Sequence, residues 1–473
     1  MLRYEHVSSQ VRSASILSLV PNTSGPISQG RNSLQERSGT SSLLHLPRNV
    51  YLLLFFTLGK GFQLTIATLN INYYAHSLGY KPDFIGLLSA MPALGSLVSS
   101  VPSGFLADRL GRKPVLIGTA ILTPLCLAGV GLFTSAPLLL AFSLLQGIVS
   151  SAYWVTNLPL LVESTTERQR VGVLALNSFL LLGIGSFGNL LGGAIPEFVS
   201  GLLHVSAAST VPLRWGVLSA ALVTLIFGIP LWLLREPKRG TRPAPIQPAV
   251  IASTAPIEEI ATAGAAEVIE NVKDSTCTPK EKVPVLLFVK LLLPYLLFTM
   301  GEGAVVALIQ LYFVLRFHLL PGPLGIIFTI SGVAGGIFSL TAPLFVHRWS
   351  KLRIITTVMF LSAPLMILVG FAPSLPYAIG GEYARSFMRT LIEPVYAAFV
   401  MEKISDRYRA TLSGFYGVTW SIGFSIGPSI AGWLQTNINL STAFIFGAAC
   451  LATCATVLLL FFGKRPTVSR ASS

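Results

Sequence analysis

The stretch Ser103–Lys113, SGFLADRLGRK, ends one long apolar run and is followed at once by another. Two helices that cross hydrocarbon must be joined by a tight polar turn, because irregular backbone cannot face lipid. Gly104 lets a neighbouring helix come close. Gly111 supplies the positive φ that a tight turn demands. Arg109, Arg112 and Lys113 hold the turn on the cytoplasmic side. Asp108 is an acid at a helix end, able to pair with an arginine or with a neighbouring helix N-terminus.

The order of these residues is Gly, three residues, Asp-Arg, one residue, Gly-Arg-Lys. It resembles the loop signature between helices 2 and 3 of the major facilitator superfamily of secondary transporters. The resemblance implies an all-α membrane protein of twelve transmembrane helices in two pseudo-symmetric six-helix halves. It also implies that Gly104, Asp108, Arg109, Gly111, Arg112 and Lys113 act as a conformational latch and not as substrate ligands. Glu163, at a cytoplasmic helix end, is expected to join that latch by pairing with a loop arginine.

Composition agrees with a membrane protein. Of 473 residues, 52% are hydrophobic and 11% charged, where a soluble domain carries about 25% charged. Mean hydropathy is +0.70. The net charge of +14 reflects basic cytoplasmic loops and not a nucleic-acid partner. The four cysteines have no disulfide or zinc spacing, and no nucleophile or metal-ligand set lies at membrane depth, so the chain reads as a non-enzyme.

Outward from the opening stretch, residues 1–48 read as a disordered cytoplasmic tail. Apolar runs of spanning length fall near 50–75, 84–107, 114–134, 137–162, 170–195 and 211–234, the half 49–234. A second set falls near 288–315, 323–346, 354–372, 376–401, 408–435 and 440–462, the half 285–463. Residues 235–284 form a polar linker, and 464–473 a cytoplasmic tail. Of 33 Lys and Arg residues, 26 fall in segments on one side, which sets both termini in the cytoplasm. With no organelle address, the plasma membrane is the expected location.

The halves repeat. Glu163, Arg168, Arg170, Gly188 and Gly193 match Glu402, Arg407, Arg409, Gly427 and Gly432 at one offset, 402 less 163, or 239. Phe56–Gly61 in helix 1 matches Phe298–Gly303 in helix 7, placing Lys60 opposite Glu302. The second copy of the loop signature, around Pro343–Lys351, lacks the acid, so an asymmetric latch is expected.

Ionisable groups at membrane depth are costly, and so mark function. Lys60 and Glu302 are two. Helix 10 carries Glu382, Arg385, Arg389 and Glu393 within roughly an 80° arc, joined by Tyr396. Helix 4 presents Gln146, Ser150, Tyr153 and Asn157 on one face, and helix 1 adds Gln63 and Asn70. Helices 1, 4, 7 and 10 line the central cavity in this family. The expected substrate and coupling set is therefore Lys60, Gln63, Gln146, Tyr153, Asn157, Glu302, Glu382, Arg385, Arg389, Glu393 and Tyr396. Fixed ion pairs and ordinary interhelical hydrogen bonds remain alternatives for these groups.

Helix 11 has a glycine-proline ladder, Gly423 to Gly432, that resembles the motif drug/proton antiporters carry in helix 5. In this chain's helix 5, Asn189 stands where that motif has Pro. Their helix 4 arginine is replaced by Ser143. A proton carrier here is expected at Glu302 or Glu393. The expected function is alternating-access transport of a small solute by a monomer in the bilayer. It takes the form of proton-coupled efflux of amphipathic compounds, with no cofactor beyond a proton gradient. Uptake or exchange of an organic anion, and a non-transporting sensor with the same fold, are the alternatives.

Overall fold

A computed structural model describes residues 46–235, 285–339 and 349–463. The expected tails and linker, and the worn second loop signature up to Arg348, lie outside the described residues. Among the described residues the chain is helical throughout.

The first half runs α1 (Arg48–Ser77), α2 (Pro82–Leu110), α3 (Arg112–Leu132) and α4 (Ala136–Glu163). α5 starts as Glu167–Ser178 and resumes as Phe187–Leu203; α6 is Thr210–Gly228. In the second half α7 is Val285–Val306 and then Ile309–Phe317, and α8 is Pro321–Ser339. α9 (Lys351–Gly370), α10 (Leu375–Glu402), α11 (Asp406–Asn437) and α12 (Thr442–Phe462) complete it. The fold is the all-α membrane bundle expected, and among the described residues ten helices are both long and apolar enough to cross a bilayer. The other two, α10 and α11, have the length at 28 and 32 residues but are more polar, α10 through four charges in its interior and Glu402 at its end. α5 extends eight residues beyond the expected boundary at 195, because the GNLLGGAIPEFVSGLL stretch stays helical through Pro196.

The opening stretch folds as a tight turn. α2 ends at Leu110, Gly111 takes φ 94°, and α3 starts at Arg112. Arg112 reaches Glu163 at the end of α4, at 2.5 Å. Its counterpart in the second half is the Lys351–Glu402 ion pair. Lys351 lies 239 positions beyond Arg112, the same offset that relates the two glutamates. The repeat thus preserves a bonded pair, not just residue types.

The two halves meet along α2–α11 and α5–α8. Two glycines at the same offset make this possible. A Cβ on Gly193 would stand 3.0 Å from the Gly322 Cα of α8, and one on Gly432 3.0 Å from the Gly86 Cα of α2. Side chains larger than glycine would force the seams apart.

The apolar core is distributed unevenly. On the face opposite the 103–113 turn, one cluster draws on both halves, including Tyr73, Leu88, Leu308, Phe328 and Phe444. Near the face that carries the turn, the clusters are separate: one built from Leu53, Leu116 and Leu160, another from Tyr295, Ile355 and Tyr396. Polar contacts across the seam follow the shared core. Asn72 Nδ2 donates to the Ala307 carbonyl (2.7 Å) and Tyr73 OH to that of Leu319 (3.2 Å). Asp83 N donates to Thr436 Oγ1 (2.8 Å) and Gly322 N to Glu197 Oε1 (3.0 Å).

Candidate functional site: a charged cavity between interrupted helices

α10 places Glu382, Arg385, Arg389 and Glu393 on one face. Arg385 uses its planar guanidinium fully. Nε and Nη2 donate to the two Glu382 oxygens, both at 2.8 Å, and Nη1 donates to Glu302 Oε2 of α7 at 2.9 Å. Such bidentate, charge-assisted bonds are what make a buried guanidinium tolerable. Arg389 Nε stands 3.9 Å from the same Glu302 oxygen, with a quarter (26%) of its side chain exposed. Glu302 Oε1 is buried without a hydrogen-bond partner. A cavity of about 330 Å³ lies between α1, α5, α7, α8 and α10; Glu382, Arg385, Arg389 and Glu393 line it, and Glu302 stands behind the two arginines. Phe179, Leu182, Ile309 and Phe328 give it an apolar share, and Ser186, Ser331, Ser386 and Thr390 a polar one.

Two of the bordering helices are interrupted. α5 passes through a π turn at Phe179–Gly183 and a 3-10 turn at Ile184–Ser186. α7 breaks at Ala307–Leu308. Carbonyls near each break need donors, since lipid offers none. Thr65 Oγ1 of α1 donates to the Gly185 carbonyl (2.9 Å), while Thr329 Oγ1 of α8 gives its proton to the Gly325 carbonyl of its own helix (2.7 Å) and stands 3.2 Å from the Ser186 carbonyl. Asn72 of α1 serves Ala307, as above. The irregular backbone is therefore held by side chains from α1.

The candidates from the first half gather elsewhere. Lys60 Nζ donates to Ser150 Oγ at 3.3 Å and lies 5.4 Å from the Tyr153 ring centroid. Gln146 Nε2 donates to the same Ser150 oxygen at 3.3 Å. Asn157 Nδ2 donates to Tyr153 OH and Thr57 Oγ1, both at 3.3 Å, and Thr57 donates to Asn177 Oδ1 at 2.8 Å. This buried network ties α1 to α4 and α5. Gln63 is fully buried, and neither amide atom has a hydrogen-bond partner. Lys60, Gln63, Gln146, Tyr153 and Asn157 are not part of the cavity lining, and among the described residues Lys60 has no carboxylate partner. Tyr396 donates to the Leu291 carbonyl at 3.0 Å and packs beside Tyr295 in the second half's own core. Of the latch residues, Arg112 and Glu163 are joined, and Asp108 is exposed at the end of α2.

The sequence reading did not single out Gln310, Ser386 or Thr390. Ser386 and Thr390 lie one turn apart on α10, beside the charged face, and that spacing was available as a signal. Gln310 becomes a lining residue only because α7 breaks just before it.

The sequence profile of the Major Facilitator Superfamily matches residues 51–420 and 291–473. The chain belongs to this superfamily. Among its relatives, the uncharacterised MFS-type transporter YfkL of Bacillus subtilis is 27% identical over 114 residues, 24% of this chain and 29% of that one. The MFS-type transporter ppzB of Metarhizium majus is 30% identical over 119 residues, 25% of this chain and 26% of that one. The chain thus spans between a quarter and a third of the length of these curated relatives. A bacterial homologue of the human lysosomal transporter Spinster, solved inward-facing and occupied, superposes with TM-score 0.68 at 13% identity, covering 87% of this chain and 95% of that one. The inward-open xylose transporter XylE of E. coli gives 0.66 at 14%, covering 89% and 98%. The superfamily's fold is shared over most of the chain.

Proposed function

We propose that this transporter is a proton-coupled exporter of amphipathic compounds that works by alternating access. The observation that carries this reading is a charge count at the cavity. Glu302, Glu382 and Glu393 face Arg385 and Arg389, which leaves one carboxylate in surplus when all five are ionised. A buried unpaired charge is costly, so the site is at rest when a proton or a cationic solute supplies the missing positive charge. Glu382 is held by two bonds and Glu302 by two arginines. Glu393 has no ion pair within 4 Å among the described residues, and it is the group assigned to exchange the proton. Proton and cation then compete for one vacancy, which is the logic of antiport. The apolar part of the lining suits the body of an amphipathic solute.

Placing the 103–113 turn in the cytoplasm, as the basic-residue bias directs, makes this state inward-facing, because the shared core closes the opposite side. The protein then acts as a monomer in the cell membrane with both termini inside, driven by a proton gradient and no bound cofactor. A second reading, exchange of an organic anion, is favoured by the part-exposed Arg389 at the cavity wall. Counterflow in proteoliposomes under an imposed pH gradient separates the two. Proton-driven movement of phenethylammonium that Glu393→Gln abolishes supports the exporter. Gradient-independent anion exchange, lost in Arg389→Gln and kept in Glu393→Gln, replaces it.

A further inference from the structure

The breaks in α5 and α7 share a feature that the charge cluster does not explain. Each is followed, within the first turn of the resumed helix, by an amide side chain at the cavity. Asn189 comes three residues after Ser186, the end of one break, and Gln310 two residues after Leu308, the end of the other. Both are more than nine-tenths buried, at 6% and 7% exposure. Asn189 Oδ1 and Gln310 Oε1 are both buried without a hydrogen-bond partner. An amide oxygen in that position costs free energy comparable to a lost hydrogen bond, unless something arrives to donate to it. The two side chains, brought to one cavity by two helix interruptions, each keep an acceptor oxygen unserved.

From these residues we infer a substrate subsite, made by Asn189 and Gln310, that reads hydrogen-bond donors on the polar end of the solute. The ligand class is a protonated primary or secondary amine, whose N–H groups meet the two amide oxygens while its positive charge meets the surplus carboxylate. A quaternary ammonium or phosphonium has the charge and lacks the donors, and the subsite discriminates against it. The division of labour follows from the geometry. The carboxylates of α10 and α7 set the charge that is accepted. The amides that follow the breaks in α5 and α7 set which cation is preferred. A site with buried groups built to bond a partner rejects analogues lacking it far more strongly than an apolar wall can. Asn189 also occupies a position where a proline would offer no such oxygen.

This inference rests on the exporter reading for the sign of the charge, and its test does not need transport. Full-length protein in nanodiscs, without a gradient, is titrated calorimetrically with phenethylammonium and with its N-trimethyl analogue, which match in body and charge. The wild type should bind the N–H-bearing amine roughly tenfold to a hundredfold more tightly. Asn189→Leu and Gln310→Met should each erode that preference by lowering affinity for phenethylammonium alone, and Asn189→Asp, which keeps an acceptor, should retain it. Equal affinity for both amines, binding of neither, or a preference that survives the double variant overturns the subsite. Counterflow of phenethylammonium itself separates the two conclusions. If it is not proton-driven while the binding preference holds, the exporter reading fails and the subsite stands. If it is proton-driven without any preference, the reverse is true.

Discussion

Replacing Arg385 by Met keeps side-chain length and removes the charge that the cluster is built on. The wild-type guanidinium makes three charge-assisted bonds, at 2.8, 2.8 and 2.9 Å, to two carboxylates that are almost wholly buried. Without it, Glu382 loses both of its bonds and Glu302 keeps only Arg389 at 3.9 Å. The surplus of negative charge at the cavity rises from one to two. Removing one partner of a buried pair costs about 3–5 kcal/mol, mainly because the other is left uncompensated. At ~1.4 kcal/mol per decade, the folded-to-unfolded ratio should fall by roughly two to three and a half orders of magnitude. The assay is equilibrium unfolding in mild detergent with a denaturing detergent as titrant. The triple variant Glu302→Gln, Arg385→Met, Glu382→Gln provides the control, because it removes both carboxylates together with their guanidinium, leaves the charges of Arg389 and Glu393 in balance, and should recover most of the loss. If Arg385→Met alone lies within about 1 kcal/mol of wild type, the carboxylates do not depend on the arginine and the account of the cluster is wrong.

Two other perturbations follow from the fold. Arg112→Ala and Lys351→Ala break ion pairs at the helix ends whose side chains are substantially exposed, so each should cost less than about 1 kcal/mol in the same unfolding assay; a loss above 2 would mean that these pairs carry the fold. Asp83→Cys with Thr436→Cys, in a Cys277→Ser background, should cross-link on oxidation and stop transport until reductant is added, since Asp83 N and Thr436 Oγ1 are 2.8 Å apart across the seam; undiminished counterflow in cross-linked protein would show that this seam does not open.

The bundle was legible because its determinants are local. Twenty-residue apolar runs, basic turns and the 239-residue offset are all properties of sequence position. Even the Arg112–Glu163 pair and its counterpart could be anticipated from the repeat. The site was legible only in part. The four charges of α10 share a face by spacing alone, but their partner Glu302 is 83 positions away from Arg385. Lys60 and Glu302 hold matching places in the two repeats. Yet one sits among uncharged groups of α4 and the other against two arginines, because α4 offers Ser150 where α10 offers charge. Nothing in periodicity marks the interruptions of α5 and α7. Their carbonyls are served by Thr65 and Asn72, which stand on α1, so Asn189 and Gln310 gain their meaning only in three dimensions.

The one-sided core has a thermal consequence. Opening the seam beside Tyr73, Leu88 and Phe328 would wet apolar surface, whereas the other side of the bundle already keeps its two cores apart. Wetting apolar surface raises heat capacity and is favoured by cooling, as the hydrophobic contribution weakens. The balance between access states should therefore bend in a van 't Hoff plot. Chilling should populate the conformer that exposes the shared core, so temperature itself becomes a handle for trapping the opposite half of the transport cycle.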